Sequence, residues 1–353
     1  MDNIFEKAAS HFQNQLPFVL YAKPNSTDLI GFFQQNKKLH TVNDFTERGF
    51  VFADFSGNQV LLFPEKQCEV VKEAYASDAK KVNIEQIIFS TDGKETFEQL
   101  VTQGIKAIET GAFDKVVLSR KESLLKTDFS FLEVFQNMLP TYPGAFRYCW
   151  FHPEIGMWMG ATPEQLLKIE SAKFKTVALA GTQKWNPDSL VIWEEKERQE
   201  QQFVTDFIIS NLQNEVEKLS QTKPYTFQAG NLVHLKTDIE GVFKTNFSLN
   251  KVLNFLHPTP AVCGLPKASA KQFIFDFEGY DRKFYAGYLG ELNRNMVTNQ
   301  NSDSDLFVNL RCMEIQQNQL HLYIGCGITK DSDPEKEYFE TANKAVTMKQ
   351  ILN

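Results

Sequence analysis

After one amphipathic stretch near residues 3–14, the first ninety-odd residues alternate short aromatic and β-branched runs with turn formers. PFVLYAKPN, LIGFFQQN, GFVFADFSGN and QVLLFP are punctuated by Pro, Asn, Asp and Gly, and that rhythm predicts antiparallel hairpins. From Ser90 the period changes. TDGKETFEQLVTQGIKAIETGAF has an Asp/Thr start, apolar positions at helical spacing and a Gly stop, so a helix is expected, leading into the strand KVVLSRKE. Helical patterns around 129–139, 190–218, 249–255, 267–273 and 334–351 then alternate with strand patterns at 145–151, 155–160, 166–170, 173–179, 231–240, 284–292, 305–314 and 319–328. Several of these strands follow one another with no helix between them. The pattern therefore predicts a mixed α/β (α+β) class with much antiparallel sheet, not a doubly wound parallel sheet. There is no internal repeat, and the polar stretches KWNPDS (184–189) and NQNSDSD (299–305) are too short for a clear interdomain linker. One large compact unit is expected, with residues 1–93 as its strand-rich N-terminal part.

Composition narrows the function. The 353 residues are 42% hydrophobic and 23% charged, as in an ordinary globular protein. Thirty-one Phe against four Trp and ten Tyr is a heavy aromatic load, and core filling is its default use. With 44 acidic and 37 basic side chains the net charge is −7, which argues against a nucleic-acid or anionic-membrane binder. No window holds the roughly 20 apolar residues of a membrane helix, and MDNIFEKAASHFQNQLPF does not read as a secretory signal. Cys68, Cys149, Cys263, Cys312 and Cys326 are scattered and without a CxxC pair. They read as reduced thiols of a cytoplasmic protein, with neither a disulfide framework nor a zinc site.

Common cofactor motifs are missing: the chain has no GxGxxG after a strand, no GxxxxGK[ST], no HExxH and no GxSxG. Two glutamate pairs carry more information. Glu197 and Glu200 in WEEKERQEQQFVTDFI, and Glu337 and Glu340 in DPEKEYFETANKAV, are each i,i+3 on a predicted helix, with Lys344 one turn beyond Glu340. Residues at that spacing share a helix face. Two such faces could close on one hard divalent ion such as Mg²⁺, although a single pair of this kind is most often a solvated surface. Lys115 opens the apolar strand FDKVVLSR; pattern alone makes it a solvent-facing edge lysine, while a buried site would make it a candidate base. Glu164, in the turn of GATPEQLL, would be an ordinary solvated turn residue unless a closed site raised its pKa and made it a proton donor.

In this order, the segments resemble the chorismate-utilising enzymes, and within them the isochorismate synthases. The likeness runs from about residue 94 to residue 350 through FDKVVLSR, GATPEQLL, ALAGT, KERQEQQFV, HLKTDIEG, HPTPAVCGLPK, FYAGYLGE, VNLRC, YIGCGI and DPEKEYFETANK. It implies that 94–353 is a chorismate-binding catalytic region, and that the whole is a sandwich of two stacked, mainly antiparallel sheets flanked by helices. By the same resemblance Lys115 matches the base that activates water and Glu164 the acid that protonates the departing ring hydroxyl. Glu200 and Glu340 match Mg²⁺ ligands, with Glu197 and Glu337 completing the shell directly or through water. Arg311 and Lys344 match the cations that hold substrate carboxylates, and Tyr285, Gly325 and Gly327 further carboxylate contacts. His234 and Thr182 match positions around the ring, and Ala261 is taken as a further substrate-binding position.

Within the family, amino-transferring branches are disfavoured. Anthranilate synthases typically carry glutamine where Lys115 stands, and aminodeoxychorismate synthases use a lysine at the place of Ala180. Ala261 and a short N-terminal region favour a simple isomerase making isochorismate for menaquinone or siderophore synthesis. Salicylate synthase and a catalytically silent chorismate-binding protein remain as alternatives. Chorismate is the expected partner, Mg²⁺ the expected cofactor, and a monomer the expected state.

Overall fold

The computed structural model describes residues 3–75, 93–126, 129–187, 189–229, 232–316 and 319–352. Two large sheets form it. One has nine strands, in the spatial order Gly264–Leu265, Lys115–Leu125, Gln319–Ile328, Cys312–Gln316, Gly156–Thr162, Phe146–His152, Phe18–Ala22, Asp28–Gln34 and Cys68–Ala74. The main path of the other runs Val216–Gln221, Leu232–Phe243, Lys173–Lys184, Gln165–Glu170, Ser304–Val308, Tyr288–Leu292, Gly49–Ala53, Val60–Pro64 and His40–Thr41. Their pairings are antiparallel, and strands from the first 75 residues are built into both sheets.

Alternation along the strands explains the layers. In the hairpin 146–162, Trp150 faces Trp158 in register, and both belong with Phe146, Tyr148, Phe52 and Phe284 to the core between the sheets. The intervening Cys149, Phe151, Met157 and Met159 point to the opposite face, under the helices Ile4–Gln13 and Phe131–Thr141. Phenylalanine fills the interlayer: Phe52 stacks on Phe284 at 4.3 Å and Phe146 on Phe307 at 4.5 Å between centroids. Each ring so buried contributes about 2 kcal/mol.

Some predicted elements are corrected. The helix expected at 190–218 is Glu195–Leu212, opened by a capping box between Glu194 and Glu197, and the chain beyond it forms the strand Val216–Gln221. The strand expected at 284–292 begins only at Tyr288. The strand expected at 305–314 is two strands, Ser304–Val308 and Cys312–Gln316, one in each sheet. Asn309 makes the crossing: its amide donates to the carbonyl of Phe284 at 2.9 Å and accepts from the Tyr148 hydroxyl at 2.7 Å. Thr91 and Asp92, read as the start of the helix Lys94–Glu109, lie outside the described residues.

Candidate active site

The cavity forms where the chain passes between the two sheets. Residues 309–311 are one such crossing; another, at Pro163–Glu164, joins Gly156–Thr162 to Gln165–Glu170. The two are tied together, since the Thr162 hydroxyl donates to the Val308 carbonyl at 2.6 Å and the Val308 amide to the Glu164 carbonyl at 2.9 Å. Arg311 takes a left-handed backbone, φ +48°, at the point where Cys312–Gln316 stops covering its neighbour. That neighbour, 319–328, is paired on this side only up to Tyr323. Its Gly325 and Gly327 therefore line an opening together with Glu164 and Arg311.

Two helices close the opening. Glu195–Leu212 packs on the strand Lys173–Lys184 and presents Glu197 and Glu200; Pro334–Gln350 packs on 319–328 and presents Glu340 and Lys344. Helical spacing puts Glu340 and Lys344 within 2.7 Å of each other, and Lys344 also donates to the Gly325 carbonyl at 3.0 Å. Lys115 is fully buried rather than solvent-facing, and its ammonium meets Glu200 at 2.7 Å. Gly327 makes that pair possible. A Cβ there would collide with the Glu200 carboxylate and lie 3.2 Å from the Lys115 side chain. At Gly325 a Cβ would lie 2.7 Å from the Tyr285 hydroxyl.

A β-bulge shapes the third wall. Register shifts between Ala180 and Gln183, Gly181 adopts φ +69°, and the extra residue turns Gly181 and Thr182 towards the cavity. The Gly181 carbonyl accepts from His234 Nδ1 at 2.9 Å. A carbonyl cannot donate, so Nδ1 carries the ring proton, and burial holds the imidazole neutral by lowering its pKa to about 3. Nε2 is then an acceptor. It is buried with no protein partner among the described residues, and His234 lines the cavity.

Glu164 is a strongly perturbed carboxyl on this surface. Burial pushes its pKa up to about 7, against the opposing pull of Arg311, Lys115 and Lys344. Desolvation wins, so near neutrality a substantial fraction of Glu164 is a carboxylic acid able to give a proton.

The structure thus gathers Glu164, Thr182, Glu197, Glu200, His234, Ala261, Tyr285, Arg311, Gly325, Gly327, Glu340 and Lys344 on one cavity. Lys115 reaches it through Glu200. Glu337 is not on the lining; it is buried in the layer beneath, where it accepts from the Cys326 thiol. Pattern reading passed over the apolar wall of Val117, Leu179, Val262 and Leu310, whose only signal is that of core residues. Glu197, Glu200 and Glu340 supply the hard oxygen donors that Mg²⁺ takes. Their carboxylates are engaged by neighbouring groups: Glu200 by Lys115, Glu340 by Lys344, and Glu197 by Gln183 at 3.1 Å and the Glu194 amide at 2.8 Å. Among the described residues no three or more His, Cys, Asp or Glu side chains are gathered as a metal cluster, so the donors fit in kind while lysines occupy two of them.

The chain is similar to known proteins over most of its length. The chain is 29% identical over 268 residues to isochorismate synthase EntC of Escherichia coli (strain K12), which covers 73% of this chain and 67% of that protein. It is 32% identical over 280 residues to isochorismate synthase MenF of the same strain, covering 73% and 60%. The fold is shared with the crystal structure of DhbC from Bacillus anthracis, with TM-score 0.80 at 23% identity over 99% of both chains. A family model described as "Chorismate binding enzyme" matches residues 33–353, and the chain belongs to that family.

Proposed function

We propose that this protein is an isochorismate synthase, an isomerase that moves the ring hydroxyl of chorismate in a Mg²⁺-dependent reaction. The observation that carries the reading is Glu164: a buried carboxyl held near half-protonation at neutral pH, on a cavity that also holds Arg311 and Lys344. A dianionic substrate needs cations, and a hydroxyl leaving group needs an acid. The cavity offers both.

Arg311 and Lys344 would hold the two carboxylates, the first as a planar fork and the second as a point charge. Water attacks the ring carbon next to the one bearing the carboxylate, the double bonds shift, and the allylic carbon–oxygen bond breaks. Glu164 gives its proton to the departing oxygen and Lys115 takes one from the attacking water, so substrate and product have the same composition. Each transfer is worth about 10²–10⁴-fold. His234 Nε2 can accept from a ring hydroxyl, and Gly325 and Gly327 let the ring approach the backbone. Glu200 and Glu340, with Glu197 and Glu337 directly or through water, would hold Mg²⁺, which when bound neutralises the ring carboxylate and polarises it as a Lewis acid. Buried against Cys326 and off the lining, Glu337 fits the water-mediated role. The reading includes a monomer in the cytoplasm, in keeping with five unpaired cysteines, and a product destined for menaquinone or siderophore assembly.

Purified protein incubated with chorismate should give a product of unchanged mass only when Mg²⁺ is present. Stoichiometric pyruvate would make it a salicylate synthase, and no turnover with any divalent metal would leave a chorismate-binding protein without catalysis.

A further inference from the structure

Behind the wall that carries Lys115 lies a buried ion pair that the chemistry above does not use. The strand Lys115–Leu125 is paired along one edge by 319–328; along the other, among the described residues, Lys115 and Val116 have the strand partners Leu265 and Gly264, and the Val117 amide donates to the Cys263 carbonyl at 2.8 Å. Beyond that point the edge needs other partners for its backbone groups.

Glu278 and Arg282 supply them. The Ser119 amide donates to Glu278 Oε1 at 2.7 Å, and the Val117 carbonyl accepts from Arg282 Nη2 at 2.7 Å. Arg282 Nε also donates to Glu278 Oε2 at 2.7 Å, and its Nη2 pairs with the other carboxylate oxygen, so the two side chains form a fork with 1% and 0% exposure. A third arm of the guanidinium donates to the carbonyl of Val262 at 2.9 Å, and the group lies 5.8 Å from the ring centre of Tyr285. Val117, Val262 and Tyr285 all line the cavity. The fork therefore touches three separate pieces of the wall, each through backbone or ring, without touching the cavity itself.

We propose that the Glu278–Arg282 pair acts as a side-chain substitute for a missing strand. It makes both residues positioning residues: they hold the start of the Lys115 strand, the Ala261–Val262 loop and Tyr285 in one fixed arrangement. The bidentate geometry is what selects arginine, because an ammonium cannot reach Glu278, Val117 and Val262 together. The inference rests on the proposed isomerase for its catalytic consequence, and its structural consequence can be read without activity.

Arg282→Lys and Glu278→Gln keep size and test the fork. Both should lower kcat tenfold or more while the KM for chorismate changes less than threefold, because Arg311 and Lys344, which would hold the carboxylates, are untouched. Ser119→Ala, which removes only the hydroxyl bonds to Glu278 and Tyr280, should give a smaller fall in the same direction. In parallel, hydrogen exchange at the Ser119 amide should accelerate at least tenfold in Glu278→Gln under conditions where the protein stays folded. A folded Arg282→Lys with wild-type kcat and only a lower Tm would overturn the positioning role. An unchanged Ser119 exchange rate would overturn the strand substitution. If the wild type does not turn over chorismate, the isomerase reading fails by itself, and the exchange result still decides whether the fork seals the edge.

Discussion

The two sides of the cavity are built on different principles. Glu164 and Arg311 sit on the crossings between sheets, where Thr162, Val308 and Asn309 fix the backbone through buried hydrogen bonds. Glu200, Glu340 and Lys344 stand on helix faces as partly exposed side chains, and they satisfy one another through ion pairs with Lys115 or within the helix. One wall is held by the main chain and pays a desolvation penalty that raises an acid's pKa. The other is self-neutralised, and a cation arriving there must compete with lysines for its carboxylates. On the proposed reading, proton donation would depend on burial that is present before any ligand binds, whereas metal binding would depend on exchanging partners.

The sharpest way to break this contrast is to remove the proton-transfer groups. Glu164→Gln and Lys115→Ala should each lower turnover at least 10²-fold, with chorismate binding still measurable by equilibrium titration. Near-normal turnover in either variant would remove that residue from its assigned role. On the helix side, Glu340→Gln should act through the metal instead. Turnover should be recoverable by raising Mg²⁺, with the half-saturating concentration increased by about 10–100-fold, whereas Glu337→Gln, one layer down, should shift it less. Equal shifts would place Glu337 in direct contact with the ion. Loss of turnover in Glu340→Gln that no Mg²⁺ concentration restores would give Glu340 a chemical rather than a ligating role.

Much of this was legible in the residues, for reasons that differ by element. Helical spacing alone puts Glu197 with Glu200 and Glu340 with Lys344 on shared faces, and the helix 334–350 came within a residue of its observed end. Spacing could not say that Glu337, on the same face by count, would be turned under the sheet against Cys326. The run 305–314 reads as one strand because both halves are apolar and alternate, and the break is imposed by Asn309 bonding to Tyr148 and Phe284, residues distant in sequence. Arg311 could be named from its motif but not placed at a sheet crossing. Glu278 and Arg282 are i,i+4, a spacing that from sequence is indistinguishable from a surface helix pair; only the short length of the strand Gly264–Leu265 gives the fork its purpose.

The main-chain wall can be tested directly, in the free protein and without substrate. Glu164 has a folded pKa of about 7 against an ordinary 4.5, so between these values the folded protein binds more protons than the unfolded chain. Stability contributed by the buried neutral acid is present in full below about 4.5 and is lost as pH rises through about 7. At 1.36 kcal/mol per unit, the loss is about 3 kcal/mol. Glu164→Gln stays neutral throughout and lacks this loss. In urea unfolding from pH 4.5 to pH 8, the variant should therefore gain on the wild type by up to that amount as pH rises, most steeply between 5 and 7. The same ionisation should make kcat/KM of the wild type fall above pH 7. If the two stability curves run parallel, Glu164 is already ionised in the free protein. The acid would then have to be created by the substrate's own negative charge, and the two walls of the cavity would be alike in waiting for a ligand.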